Sequence, residues 1–238
     1  MKIIRKTQSE FRNLRLQLLS LLSSTKLQIE NNVPYISQFA SPEYSEKVLR
    51  DNVNTATDPK WQNTGAESPE EYTKWVLTIC GMACTSMALK YFNNDNIGII
   101  SLAKDAMEHN VYKEQSDDIS DMHYREYADW ITKYRLRAEV YSKLTIRGIK
   151  YLLSNGNLVI VSVNPNIREY TIAPITQKGG HLVLVTGYNN TNNTVTIHNP
   201  SGFSSLNTQQ NHTIQISKFL QFYAGRGIAI SSLSDTLE

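Results

Sequence analysis

Cysteine is scarce in this chain: only Cys80 and Cys84 occur. Four residues apart on one helix, they build no disulfide framework, and fit a reducing compartment or a thiol kept free for chemistry. No apolar run reaches the roughly 18–20 residues that span a bilayer. Near the N-terminus, Leu16 to Leu22 is a short apolar core broken by Gln17 and Ser20, with no small-residue cleavage site before Lys26. No signal peptide is read, so a cytoplasmic location is expected, with secretion by another route left open. Neither sign of charge dominates: 24 basic against 22 acidic residues give a net +2, which offers nothing to nucleic acid or an acidic polymer. There is no HExxH and no CxxC pair, and Asp117, Asp118 and Asp121 lack the spacing of a calcium loop, so no metal is expected. A P-loop, a GxGxxG turn and a Gly-x-Ser-x-Gly elbow are also missing, so no cofactor is expected. No repeat, low-complexity tract or linker is seen.

What is present is a folding composition, 40% hydrophobic and 19% charged, enough for a full core. Residues 1–30 read as an N-terminal amphipathic helix or arm, and residues 31–238 as one domain. In the arm, Phe11, Leu14, Leu18, Leu21 and Leu22 line one helical face, and Arg5, Arg12, Arg15 and Lys26 mark the other. That pattern predicts a helix docked on the domain, with a membrane-surface or partner-binding arm as the alternative. The helix is expected to run to about residue 29, where Asn31-Asn32 ends it. Val33 to Gln38 reads as an extended edge segment because of Pro34. Residues 39–67 read as an irregular loop long enough to cover a cleft.

The chain is organised around Cys80 to Phe92. Ser68-Pro69-Glu70-Glu71 has the form of a capping box and predicts a short helix to about Trp75. A second helix opens at Cys80-Gly81, with Cys80, Cys84, Met87, Ala88 and Tyr91 on one buried face. A thiol in the first turn of a helix faces unpaired N–H groups and the positive end of the dipole, which favour thiolate. Further helices are expected over Ser101–Asn110, from an Asp121 cap to about Tyr134, and from a Thr145 cap to Leu153. Leu136–Tyr141 and Leu158–Val163 read as strands, the second followed by a loop with Pro165 and Pro174. His181–Tyr188 and Thr194–Asn199 form a hairpin, followed by a strand at Thr213–Ile216, a short helix over Ser217–Ala224 and a strand at Gly227–Ser231. A helical front and an antiparallel back make an α+β domain with segregated halves.

A nucleophilic thiol needs a base, and the base an orienting partner. If Tyr188 pairs with Thr194, His181 falls opposite Ser201 and Val183 opposite Asn199. His181 and Asn199 are then diagonal neighbours on one face, while His198 points to the other. A one-residue slip would reverse these roles. The order Cys80, His181, Asn199 suits acyl transfer: the thiol attacks a carbonyl, the imidazole moves the proton and the amide holds the imidazole. The Cys80 backbone N–H and the Gln38 amide are the candidate oxyanion donors, with Gln62 as a substitute.

The segments VPYISQ, CGMACTSMALKYF, ADWITKY, LVIVSVN, GGHLVLVTGYN and VTIHNPSG resemble papain-fold cysteine peptidases of the bacteriocin-processing type. These are the double-glycine leader peptidases of bacterial peptide exporters and their stand-alone relatives, cysteine-peptidase family thirty-nine. The likeness runs from about Val33 to Ser231. It implies a papain-like fold in which the helical half carries the Cys helix and the antiparallel half carries His and Asn. It also implies Cys80 as nucleophile, His181 as base, Asn199 as third member and Gln38 as oxyanion residue. The chain departs from the family in having Asn199 where Asp is usual, Met82 where stand-alone relatives often have Pro, and a 42-residue gap from Gln38 to Cys80. The expected activity is hydrolysis of a peptide bond through an acyl-enzyme on a peptide or protein substrate. The alternatives are a catalytically silent module that holds an extended peptide by strand addition, and an acyltransferase using the same three residues.

Overall fold

The computed structural model describes residues 2–23, 26–115, 118–169 and 177–233. Among these, helix α1 (Lys2–Leu22) and a short strand β1 (Gln28–Glu30) open the chain. A helical half follows: α2 (Tyr44–Leu49), α3 (Pro69–Val76), α4 (Cys80–Asn93), α5 (Ile99–Glu108), the small pair β2 (Glu114–Gln115) and β3 (Asp118–Ile119), and α6 (Tyr124–Trp130). Sheet dominates the rest: β4 (Leu136–Tyr141), β5 (Leu158–Val163), β6 (His181–Asn189), β7 (Thr194–His198), β8 (His212–Gln215) and β9 (Tyr223–Ser232). Helix α7 (Ile146–Ser154) lies between β4 and β5, and α8 (Ile216–Phe222) between β8 and β9. Of the expected features, Ser116, Asp117 and the Pro174 loop lie outside the described residues.

The antiparallel strands run in the order β4-β9-β5-β6-β7-β8, and β1 pairs with β6 through Ile29↔Tyr188. Thus residues 28–30 belong to the sheet, and the N-terminal helix stops at Leu22 rather than near residue 29. The central strands β5 and β6 are buried on both faces. Leu158, Ile160, Leu182 and Leu184 pack towards α3, α4 and α5. Their alternates Val159, Val161, Val183 and Val185 pack with α7, α8 and Leu16 of α1. A strand covered on both sides has no polar alternation, which is why β5 reads as an unbroken apolar run. Helix α4 is enclosed in the same way. Every residue from Gly81 to Leu89 is buried, while Tyr91, expected on its inner face, is 37% exposed. A helix that is apolar all round belongs in a core.

Two regions differ from the sequence expectation. Residues 39–67 hold α2 and two short 3-10 turns, Thr55–Thr57 and Trp61–Thr64. A fully buried carboxylate, Asp58, organises them: it accepts from Ser41 N (3.0 Å), Ser41 Oγ (2.7 Å), Tyr72 OH (2.8 Å) and Lys60 N (3.2 Å). A buried charge is tolerated when its lone pairs are filled in this way. The second difference is the orientation of α1. It docks through Asn13, Leu16 and Ser20, all buried. Asn13 Nδ2 donates to Ser142 Oγ (2.8 Å), Arg12 to the Val140 carbonyl (3.2 Å), and Arg147 Nε to the Ser20 carbonyl. Leu14, Leu18, Leu21 and Leu22 of the apolar stripe face away from the domain, and Phe11 borders a groove it shares with Glu139, Tyr141 and Tyr151.

Candidate active site

Helix α3 ends in a short break, and α4 sets off at 95° to it, so Cys80 is the first residue of a new helix. The expected Ser68 cap is present, with Ser68 Oγ accepting from Glu71 N at 3.2 Å. Across from Cys80 stands the start of β6. Gly179 and Gly180 precede it at φ 107° and 91°, a region that side chains rarely adopt. They turn the chain so that His181 opens the strand beside α4. Cys80 and His181 line one cavity of about 300 Å³, together with Asp121, Tyr124, Ser162 and Arg226. Asp121 stands in this wall; the residue at the N-cap of α6 is His123, so Asp121 does not cap that helix as the sequence suggested.

The hairpin brings His181 and Asn199 together. His181 Nε2 lies 2.8 Å from Asn199 Oδ1, and both side chains are buried. The Ser201 N–H also points at Asn199 Oδ1, at 3.3 Å. A backbone N–H can only donate, so the atom facing it is the amide oxygen, and His181 Nε2 must carry the proton. Nδ1 is then the basic nitrogen, and it makes no hydrogen bond among the described residues. Ser201 Oγ is 3.3 Å from His181 Nε2 and accepts from Arg168 Nε at 2.8 Å. His198 is fully buried on the other side, its Nδ1 accepting from Asn211 N (3.0 Å) and its Nε2 donating to the Val33 carbonyl (2.8 Å). It holds the extended segment against the sheet.

The register has an instructive detail. Near the turn, Tyr188 pairs with Val195, not Thr194. A bulge between Val185 and Gly187 then shifts the ladder by one, and Leu184 pairs with His198. That shift restores the register extrapolated from the wrong turn pairing, so His181 does meet Asn199 and Ser201. Bulges re-aim side chains in this way next to functional sites.

Burial governs the electrostatics. It pushes the His181 pKa down to about 3, helped by the Arg168 charge and opposed by the Asn199 hydrogen bond. It also pushes the Cys80 thiol up, against the pull of the Leu182 and Gly81 backbone groups and of Arg168. The helix N-terminus acts in the expected direction, yet desolvation outweighs it and favours the uncharged thiol. Arg168 itself is pulled down to about 10 by burial, and no carboxylate forms an ion pair with it among the described residues. Sequence reasoning missed its role, because it reaches the site from across a loop. Ser201 was legible as the residue opposite His181.

Gln38 is buried between the two halves. Its backbone N–H donates to the Pro200 carbonyl at 2.8 Å and its Nε2 to the Val76 carbonyl at 2.6 Å, while Oε1 has no partner. It stands outside the wall of the Cys80–His181 cavity. Cys84 is fully buried, with its sulfur 3.8 Å from the Leu182 carbonyl oxygen. Among the described residues no group of three or more His, Cys, Asp or Glu side chains is placed to hold a metal. No single described helix is long and apolar enough to cross a membrane.

A family model described as Peptidase_C39 like family matches residues 30–229. Among solved structures, a C39-like peptidase from Bacillus anthracis superposes with a TM-score of 0.51 at 14% identity, covering 87% of this chain and 98% of the other. A double glycine motif protease from an AMS/PCAT transporter, solved with its leader peptide, gives 0.46 at 14% identity, over 87% of this chain and 99% of that one. No curated protein matches. The expected α+β, papain-like fold is the one the chain adopts.

Proposed function

The chain belongs to the Peptidase_C39 like family, and from that premise we propose that it is a cysteine peptidase-like hydrolase that cleaves peptide bonds through an acyl-enzyme, with Cys80, His181 and Asn199 as its working residues. One observation carries the reading. His181 Nε2 is tied to Asn199 Oδ1 at 2.8 Å, which leaves Nδ1 as the base in a cavity shared with Cys80.

In this reading the cavity admits a peptide carbonyl. Cys80 Sγ attacks the carbonyl carbon as His181 Nδ1 takes the thiol proton, so no resting thiolate is required. The tetrahedral oxyanion is met by the Cys80 backbone N–H; Gln38, the amide expected to assist, is tied to the Val76 carbonyl outside the cavity wall. The imidazolium gives its proton to the leaving nitrogen, the C–N bond breaks, and a thioester remains on Cys80. His181 then takes a proton from water, the hydroxide attacks the thioester, and the acid is released with the thiol restored. Asn199 keeps the proton on Nε2 throughout, so that Nδ1 alone exchanges protons.

Digestion of a peptide library, with products read by mass spectrometry, tests this. Wild type should produce defined cuts that Cys80→Ser and His181→Gln do not. Binding of peptides without any cut, equal in wild type and Cys80→Ser, would assign the fold to a silent peptide-binding module.

A further inference from the structure

We propose that α1 docks the protein onto an anionic lipid surface. The helix turns its apolar stripe outward: Phe11 is 67% exposed, Leu14 52%, Leu18 51%, Leu21 60% and Leu22 84%, with Leu27 at 69% just beyond. Their spacing places them on one side, while the buried Asn13, Leu16 and Ser20 hold the opposite side to the domain. So contiguous an exposed apolar strip is unusual for a helix already docked, and marks a contact surface. It forms a single ridge, the shape of a helix that lies in the plane of a membrane interface.

Charge selects the occupant. Residues 2–22 carry five basic side chains against the single Glu10, a net +4 in a chain whose total is +2. Positive charge is therefore concentrated on this one helix, and the rest of the chain is slightly acidic. Arg12 and Arg15 are both exposed along the helix. Basic residues beside an apolar strip suit phosphate headgroups above acyl chains. Pairing with a second copy would set two such helices side by side, and their like charges would repel.

Co-sedimentation with vesicles of phosphatidylcholine alone, and of phosphatidylcholine mixed with phosphatidylserine, tests the proposal. The full chain should bind the mixed vesicles about tenfold or more tightly than the neutral ones, and release as salt rises. Leu14→Gln with Leu18→Gln should abolish binding while leaving the far-UV circular dichroism unchanged, since both side chains are exposed. Failure to bind mixed vesicles, or binding that survives the double substitution, would overturn the proposal. So would a dimer in sedimentation equilibrium that the double substitution dissolves, which would make the stripe a self-association surface.

Discussion

His181 couples folding to pH with a sign and size that follow from its burial. In the folded chain its pKa is pushed down to about 3, against 6.5 for an unhindered imidazole. Between these values the unfolded chain binds a proton that the folded chain refuses. Stability is therefore fully present above about pH 6.5 and is lost as pH falls towards 3, at about 1.4 kcal/mol per pH unit. By about pH 4 the loss due to His181 alone is about 3 kcal/mol, a large part of a typical total of about 5–15 kcal/mol. His198 and His212 are also depressed by burial, but they and the carboxylates titrate equally in wild type and in His181→Gln. Urea unfolding of both proteins at about pH 8 and about pH 4 isolates the term. The substitution will shift stability by some constant through packing; the wild type should lose about 3 kcal/mol more than the variant over that range. Parallel stability curves would mean that His181 is protonated in the folded state, and would refute a buried neutral imidazole.

Two further substitutions test the framework that holds the site. Asp58→Ala strips the acceptor from Ser41, Lys60 and Tyr72, leaving buried donors unpaired, and should cost about 3–5 kcal/mol in chemical denaturation. Gly202→Ala, three residues after Asn199, would place its Cβ 2.2 Å from the Thr208 carbonyl oxygen. Backbone must move to relieve that contact, so thermal unfolding should show a drop of several degrees or more, for a loss of about 2 kcal/mol or more.

The elements closest to the chemistry were the most legible. Ser68 and Thr145 are N-caps as their spacing suggests, and the apolar runs of β5 and β6 announce strands covered on both faces. The hairpin shows how a right contact can follow from a wrong premise. The bulge falls at Thr186-Gly187, and a glycine inside a strand is its one mark in the sequence; read without it, the turn pairing was misjudged while the far end came out correctly. Residues 39–67 were opaque because their order depends on one buried carboxylate, Asp58, whose partners are 2 to 17 residues away. Hydrophobic periodicity carries no signal of such a hub. In α1 the stripe was legible, but its outward orientation was not, because the helix docks through Leu16 and two polar residues, Asn13 and Ser20, while most of its leucines turn outward, against the usual rule. At Cys80 the dipole argument reads from sequence, whereas the desolvation that opposes it is set by packing.

If Cys80 is a nucleophile activated by His181, the alkylation rate of Cys80 by iodoacetamide against pH will show it. Intact and peptide mass spectrometry would follow wild type and His181→Gln, with the enclosed Cys84 as internal control. With Nδ1 as base, wild type should react at Cys80 alone and keep its rate down to about pH 5, because His181 stays unprotonated there. The variant should slow about tenfold for each pH unit below the free thiol pKa of about 8.5. Equal rates in the two proteins, or a wild-type profile that rises only above about pH 8, would contradict the account.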